Sequence, residues 1–255
     1  MYGTIIQDAY TKNQSNEIVD ALDELCNPND SYGWASAGLY TFWDYYTREI
    51  LYIGLAVDLK ERFQQHNGIK NVSEKGCKIR EINNYFNKQD KLGYSIFVQS
   101  PLSQPVISKN IYKWHKLDPK KVGVNDFSDE QSKQDLRAVE GILIEAYRRR
   151  FGKYPPWNKI GGSIDGKNRA SDGNYAIVEK LSSNDLSILN SRFSLRELAE
   201  NPTYERYENF LHGVRMMILF GMGYESALAF IRKRDILNTY EEMVGIGYFK
   251  RIPNI

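Results

Sequence analysis

Cysteine and histidine, the residues that build zinc clusters and disulfide frameworks, are scarce in this sequence. The chain of 255 residues has two cysteines, Cys26 and Cys77, and only three histidines. No C-x-x-C pair occurs, so neither a zinc cluster nor a disulfide scaffold is indicated. We therefore expect two reduced thiols in a cytoplasmic protein.

Long apolar runs are also missing. The longest apolar stretches, such as Met216 to Phe220, are far shorter than the ~20 residues that a membrane-spanning helix needs. The N-terminus shows no basic region followed by an apolar core, so no signal peptide is expected. Hydrophobic residues make up 42% and charged residues 26% of the chain, as in ordinary soluble proteins. The sequence therefore argues against a membrane-spanning protein, and we expect no membrane partner.

The chain as a whole has no large excess of positive or negative charge, but the charged residues are unevenly distributed along it. The formal net charge is +2. Residues 1–35 hold one lysine and six acidic residues, whereas residues 36–175 hold 23 basic and 16 acidic residues. Residues 176–255 hold ten of each sign. A polyanion would favour the middle segment, although a surplus of this size does not by itself predict nucleic-acid binding.

Hydrophobic periodicity and turn residues predict an α+β organisation. Ile18, Leu22 and Leu25 lie on one helical face, and Asp58 suits the N-cap of a second helix. The dipeptide Thr47-Arg48 joins two aromatic and β-branched segments, although it lacks the glycine or asparagine typical of a tight hairpin. Helices are predicted over 16–26, 58–66, 79–87 and 135–150, and strands over 37–46, 49–55 and 93–99.

Composition divides the chain into three parts. Residues 151–175 are rich in glycine and proline and form the best domain boundary. Beyond them the pattern is almost entirely helical, and Ser194 followed by Glu197 fits a capping box. Residues 101–134 contain three prolines, several lysines and little periodicity, which is typical of an insertion. We therefore predict an N-terminal helical extension over 1–35, a central domain over 36–175 with an insertion at 101–134, and a helical C-terminal region over 176–255.

Six polar residues at ordered spacings carry the strongest functional signal. Two tyrosines stand in neighbouring predicted strands, and Gly54 follows the second. An arginine and a histidine then lie four residues apart, on one face of the next helix. A glutamate on the longest predicted helix and an asparagine after a proline turn complete the set. The six are Tyr40, Tyr52, Arg62, His66, Glu140 and Asn158. Singly, each has an ordinary explanation as a strand, helix or turn residue; jointly, they predict a site.

These residues stand in the segments GLYTFWDYYTREILYIGLAVDLKERFQQH and VEGILIEAYRRRFGKYPPWN, which resemble the two motifs of the GIY-YIG nuclease family. The resemblance covers residues 36–162. GLY replaces GIY in the first motif, Ala56 stands where the family often has a small hydroxyl residue, and the linker at 101–134 is longer than in minimal members. The resemblance implies an α+β fold, an α/β sandwich in which a small three-stranded antiparallel sheet is flanked by helices.

The resemblance also implies roles in phosphodiester hydrolysis. Tyr40 is the best candidate base, with His66 able to take its proton, and Tyr52 orients the attacking water or the scissile phosphate. The spacing leaves open which tyrosine is the base. Arg62 would grip the phosphate through two N–H donors, and Asn158 would tie its loop to the site by hydrogen bonds.

Glu140 is the implied metal ligand. One carboxylate suits Mg²⁺ (or Mn²⁺), because such an ion keeps most of its waters and borrows substrate oxygens. Glu145 is a competing acidic residue on the same helix. We prefer Glu140 because the position of Leu143-Ile144 after it matches the family pattern.

Four further basic residues are predicted to contact DNA. Arg148 and Arg149 end the helix that carries Glu140, and Lys120 and Lys121 lie in the insertion, where they could reach phosphates. Two ordinary explanations stay open. Arginines in a last helical turn are favoured by the helix dipole, and the insertion could be a surface loop.

The sequence therefore predicts a metal-dependent DNA endonuclease, sequence-specific and of the type II restriction kind, that needs no small-molecule cofactor. A homodimer would suit palindromic sites, with residues 176–255 as its contact or as a DNA-reading element. The alternatives are a structure-directed or homing-type nuclease, a non-cutting nucleic-acid-binding module with the same fold, and a helical scaffold that binds a protein partner.

Overall fold

The computed structural model of the protein describes six segments of the chain. They comprise residues 2–26, 37–70, 77–99, 129–185, 187–219 and 221–255. Most of the expected insertion at 101–134, including Lys120 and Lys121, lies outside the described residues. Its last residues, from Asp129, belong to a helix.

A four-stranded antiparallel sheet forms the centre of the fold. The strands are β1 (Tyr2–Thr11), β2 (Gly38–Asp44), β3 (Ile50–Ala56) and β4 (Lys91–Gln99). Their order across the sheet is β1-β4-β2-β3, so β1 and β3 are the edge strands. The α+β class is therefore correct, whereas the expectation of three strands is wrong.

The strand that the sequence analysis missed is β1, in the segment expected to be a helical extension. Both of its faces are covered, so Ile5 and Ile6 are fully buried side by side and no simple alternation marks the strand. Its polar residues are buried too, but each has a distant partner. Asp8 pairs with Arg196 at 2.8 Å, and Thr4 Oγ1 lies 2.8 Å from His212 Nδ1. Partners about 190 and 208 residues away cannot be read from the local sequence.

The hairpin between β2 and β3 closes without a glycine. Arg48 takes a left-handed conformation with φ of 63°, which is strained for a residue with a side chain. The Asp44 side chain offsets this by accepting hydrogen bonds from the main-chain N–H groups of Tyr46 at 2.9 Å and Thr47 at 2.7 Å. The Asp44 side chain thus stabilises a turn that has no glycine.

Helices cover both faces of the sheet. The first part of the chain contributes α1 (Ser15–Cys26), α2 (Leu59–His66), α3 (Ile79–Phe86) and α4 (Asp129–Phe151). Later residues contribute α5 (Ile164–Arg169), α6 (Tyr175–Lys180), α7 (Leu195–Glu200), α8 (Pro202–Leu219), α9 (Tyr224–Arg232) and α10 (Thr239–Gly245). The predicted helices over 16–26, 58–66 and 79–87 agree with α1 to α3 within one residue at each end. The stretch 151–175, expected to be loop, contains α5.

Two apolar clusters hold these layers together. On one face, side chains such as Tyr10, Tyr94 and Ile96 pack against α1, α2 and α7. On the other face, Trp43 and its neighbours pack against α4 and α6. The site described below lies where these two layers meet at the free edge of β3.

The C-terminal helices pack on β1. The main-chain N–H of Ile5 donates to Leu189 at 2.8 Å, and that of Ser191 donates back to Ile5 at 2.7 Å. The buried Arg215–Glu208 ion pair, at 2.8 Å, is anchored to Thr4 of the same strand. The capping box predicted at Ser194 is present at the start of α7. Among the described helices, none combines the length and the apolarity that a bilayer crossing requires.

Candidate active site

The two tyrosines meet over a glycine. In the ladder between β2 and β3, Tyr40 pairs with Gly54, and Tyr52 points to the same face two residues earlier. A Cβ at Gly54 would lie 2.7 Å from the Tyr40 hydroxyl and 2.6 Å from Cε1 of Tyr52. Gly54 is therefore required for space, because only a residue without a side chain lets the two rings approach, with centroids 5.8 Å apart.

Helix α2 brings two further predicted residues to Tyr40. Asp58 caps the helix by accepting a hydrogen bond from the Glu61 N–H at 2.8 Å, as predicted. The spacing of four residues places Arg62 and His66 on one side of the helix. Nε2 of His66 lies 2.6 Å from the Tyr40 hydroxyl, and Arg62 Nε donates to the same oxygen at 3.2 Å.

The hydrogen on the His66 ring is fixed by a main-chain contact. The N–H of Lys78 donates to Nδ1 at 2.9 Å, so this ring nitrogen has no hydrogen. Burial, together with the charges of Arg62 and Lys78, lowers the pKa of His66 well below 6.5. The ring is therefore neutral, carries its one hydrogen on Nε2 and donates it to Tyr40. This geometry opposes the expectation that His66 takes the Tyr40 proton, because neither ring nitrogen has a lone pair free to receive it.

Tyr40 and Tyr52 consequently have different positions in the site. Tyr40 is 1% exposed, and burial is the main cause that raises its pKa well above 10. Its hydroxyl already accepts from His66 and Arg62, so its own hydrogen is directed to the Tyr52 hydroxyl. Burial raises the pKa of Tyr52 as well, while the hydrogen bond from Tyr40 lowers it. Tyr52 lines the open cleft, so it is the phenol that a bound water would meet.

Glu140 and Asn158 reach the site at the free edge of β3. An edge strand exposes main-chain groups that need partners. The Asn158 side chain accepts from the Ile53 N–H at 2.9 Å and donates to the Ile53 carbonyl at 2.8 Å, as a neighbouring strand would. The Leu55 N–H, two residues on, donates to the Glu140 carboxylate. These contacts bring both residues beside Tyr52, with Asn158 tying its loop to the strand.

The charged form of the Glu140 carboxylate is only partly compensated by its surroundings. Burial raises its pKa to about 7, and the Leu55 N–H and the charge of Arg62 offset this only in part. In the described part of the chain, no three or more histidine, cysteine, aspartate or glutamate side chains converge as a metal-binding group. A site with one carboxylate still fits Mg²⁺, which needs one or two carboxylates when waters and phosphate oxygens fill its other positions. A cation at this carboxylate would also offset its burial.

The six predicted residues surround one cleft of about 550 Å³. Tyr52, Arg62, Glu140 and Asn158 line it directly, and Tyr40 and His66 lie buried behind them. Three basic residues that the sequence analysis did not single out also line it: Lys78, Arg137 and Lys159. Arg137 stands three residues before Glu140, and Lys159 stands directly after Asn158. Their closeness in the sequence to predicted site residues could therefore have identified them. Lys78 had no such signal.

The arginines predicted to contact DNA lie elsewhere. Both guanidinium groups bind Glu145, at 2.7 Å from Arg148 and 3.1 Å from Arg149, and Arg149 also donates to the Ala170 carbonyl. Hydrogen bonds from both arginines lower the pKa of Glu145 to about 2. Neither arginine lines the cleft, and Glu145 serves as their ion-pair partner. A DNA contact by these residues stays a prediction.

Comparisons with protein-family models, with curated proteins and with solved structures give no match to this chain.

Proposed function

We propose that this chain is a metal-dependent endonuclease that hydrolyses DNA phosphodiester bonds. The observation that carries the proposal is the convergence of six residues, spread from Tyr40 to Asn158, around one cleft. They come from two strands, two helices and a loop. This convergence is what a site predicted from order and spacing requires, and it supports the proposal.

The attack on phosphorus needs a group that takes a proton from water. Tyr52 has the position for this role, because it faces the cleft. Burial raises the pKa of Tyr52, and the hydrogen bond from Tyr40 and the charge of Arg62 act against this increase by stabilising the phenolate form. In this arrangement Tyr40 and His66 hold and polarise the base, and on this basis we assign the base to Tyr52.

The charge that develops on phosphorus must be balanced. Arg62 offers a guanidinium that stays protonated and can donate to two phosphate oxygens. Its Nε is held by the Tyr40 hydroxyl and Nη1 by Gln65 at 2.9 Å, so the group is oriented before a substrate binds. Preorganised donors are effective because they need no rearrangement in the transition state.

Glu140 would hold the divalent ion, Mg²⁺ or Mn²⁺. When bound there, such an ion supplies positive charge to the phosphate and to the leaving oxygen. The chain itself keeps the carboxylate in place through the Leu55 N–H. Since Leu55 and Tyr52 belong to the same strand, the ion-binding group and the base are held in fixed relation.

Sequence-specific cutting by a homodimer completes the proposal. Residues 176–255 carry ten charges of each sign, which suits a protein contact better than a DNA contact. Several apolar side chains there are exposed, among them Ile236 at 92% and Leu237 at 61%. Exposed apolar groups of this size mark interaction surfaces when they are contiguous. We assign this surface to the dimer contact of a type II restriction-like enzyme.

Digestion of unmethylated genomic DNA tests the proposal. Discrete fragments that need Mg²⁺ and vanish with chelator are the expected result. A smear would indicate a nonspecific or structure-directed nuclease instead of a sequence-specific one. Retained DNA binding without cleavage under any metal would contradict the enzyme proposal and leave a nucleic-acid-binding module.

A further inference from the structure

One buried lysine of the cleft has only a distant carboxylate partner among the described residues. Lys78 precedes α3, is 6% exposed and lines the cleft together with Arg62 and Glu140. Its Nζ lies 4.8 Å from the ring centroid of Tyr52, the residue to which we give the role of base. The ammonium group therefore lies over the ring of the residue that we propose as the base.

Burying an ammonium group is unfavourable unless the charge is paired. The nearest carboxylate oxygen among the described residues is Glu81 Oε1 at 3.8 Å, beyond hydrogen-bonding distance. Burial lowers the pKa of Lys78, and the nearby charges of Lys159 and Arg62 add to this while Glu81 opposes it. The position is also unfavourable for a cation, because Lys78 stands at the N-terminus of α3 and makes no side-chain cap.

The composition of the cleft indicates what would compensate these costs. Among the described residues, four basic side chains line it, against the single carboxylate of Glu140. Three of these cations come from different elements: Arg62 from α2, Lys78 from the start of α3 and Arg137 from α4. The fourth, Lys159, follows Asn158. An anion bound between them would be contacted from several sides at once.

We propose that Lys78 is a second phosphate-contacting cation, whose Nζ donates to a non-bridging oxygen of the phosphodiester that Arg62 holds. This inference rests on the proposed function, since it names a further contact in the same cleft. Arg62 and Lys78 then form a two-sided clamp on one phosphate. The main-chain N–H of Lys78 has a separate task, because it fixes the hydrogen position on His66.

The two tasks of Lys78 can be separated by mutation. Lys78→Met removes the charge but keeps the main-chain bond to His66, and Lys78→Arg restores a charge. Lys78→Gln serves in parallel if the methionine variant does not fold, because its amide keeps a polar group in the cleft. Lys88→Met is the matched control, since this lysine is exposed and lies outside the cleft, just after α3.

Two measurements test the proposal. The first is the salt dependence of binding to a short duplex DNA in chelator. Each lost phosphate contact reduces the slope of log affinity against log salt by about one. The second is the single-turnover cleavage rate with Mg²⁺, for which loss of one donor to the transition state costs about 10²-fold or more. We expect Lys78→Met to show both effects, Lys78→Arg to recover most of each, and Lys88→Met to behave as the wild type.

The outcomes separate this inference from the proposed function. A salt slope and a cleavage rate equal to those of the wild type in Lys78→Met would overturn the inference. Wild-type protein that binds DNA but never cuts would contradict the nuclease proposal, while the salt slope would still decide whether Lys78 contacts phosphate. Absence of any DNA binding by the wild type would overturn both.

Discussion

Replacement of Gly54 by alanine is a sharp test of the tyrosine arrangement. The new Cβ would lie 2.6 Å from Tyr52 Cε1 and 2.7 Å from the Tyr40 hydroxyl oxygen, closer than side-chain carbon atoms normally approach. Tyr40 cannot move freely, because His66 and Arg62 both bind its hydroxyl. Gly54→Ala must therefore displace at least one of the two phenols or break one of these hydrogen bonds.

The magnitude follows from the packing. An extra methyl group in a tightly packed core costs about 1–3 kcal/mol of unfolding free energy. For a chain of this size each kcal/mol lowers the melting temperature by about 2–4 °C, so we expect a decrease of about 2–12 °C. A displacement of catalytic groups by about 1 Å lowers the rate by about 10²-fold. The rate loss should therefore exceed what the loss of stability explains.

Two other glycines provide the controls. Gly93→Ala would place a Cβ 2.0 Å from the Trp43 ring, on the opposite face of the sheet, so it should destabilise the fold without moving the phenols. Gly173→Ala has nothing within 4 Å of its new Cβ and should change neither property. Melting temperature and Mg²⁺-dependent cleavage are measured for all three, at a temperature where each is folded. Equal rate losses in Gly54→Ala and Gly93→Ala would show that the spacing of the two phenols does not control cleavage.

Three further substitutions test other parts of the structure. Asn158→Asp keeps the acceptor for the Ile53 N–H but turns a carboxylate towards the Ile53 carbonyl, so thermal unfolding should show a loss of about 1–3 kcal/mol; unchanged stability would speak against this edge contact. His66→Gln keeps a donor towards Tyr40, so cleavage should stay within about tenfold of the wild type, with the same pH–rate profile; a loss of about 10³-fold with an altered profile would show that His66 accepts a proton. The buried His212 has its pKa lowered from 6.5 to about 4, mainly by burial, so the unfolded chain takes up a proton at higher pH than the folded one. The free energy of unfolding should then fall by up to about 3 kcal/mol as the pH decreases from 6.5 to 4. The decrease should be smaller in His212→Gln, and denaturant titrations that show the same decrease in both proteins would contradict this.

Local patterns were sufficient to predict most elements of the central region. The helix after Asp58, the hairpin strands and the helix around Glu140 follow from periodicity and capping, which act over a few residues. The hairpin was predicted from its aromatic and β-branched segments despite its poor turn sequence. In the structure the Asp44 side chain stabilises that turn by accepting two main-chain hydrogen bonds.

Long-range pairing explains what the sequence did not reveal. β1 was missed because Asp8 and Thr4 break its apolar pattern, and their partners, Arg196 and His212, come from the far end of the chain. Lys78 was missed for the same reason. Its significance depends on contacts with Tyr52 and with the His66 ring that exist only after folding.

For the candidate site, the sequence was sufficient to predict which residues take part but not how they are arranged. The identity of its six residues followed from order and spacing, because the motifs preserve them. Their relative depth did not, since only the folded sheet places Tyr52 in the cleft and Tyr40 behind it. The direction of the hydrogen bond between His66 and Tyr40 likewise depends on the main chain at Lys78, which no motif describes.

Glu140 is the residue through which we propose that DNA cleavage depends on a metal ion. The most direct test compares Glu140→Gln with Glu225→Gln, an exposed glutamate at the start of α9, in cleavage of the same DNA over a range of Mg²⁺ concentrations. We predict that Glu140→Gln binds DNA in chelator as the wild type does but cuts none of it with Mg²⁺, while Glu225→Gln cuts normally. Wild-type cleavage by folded Glu140→Gln, or cleavage that persists without metal, would contradict the account.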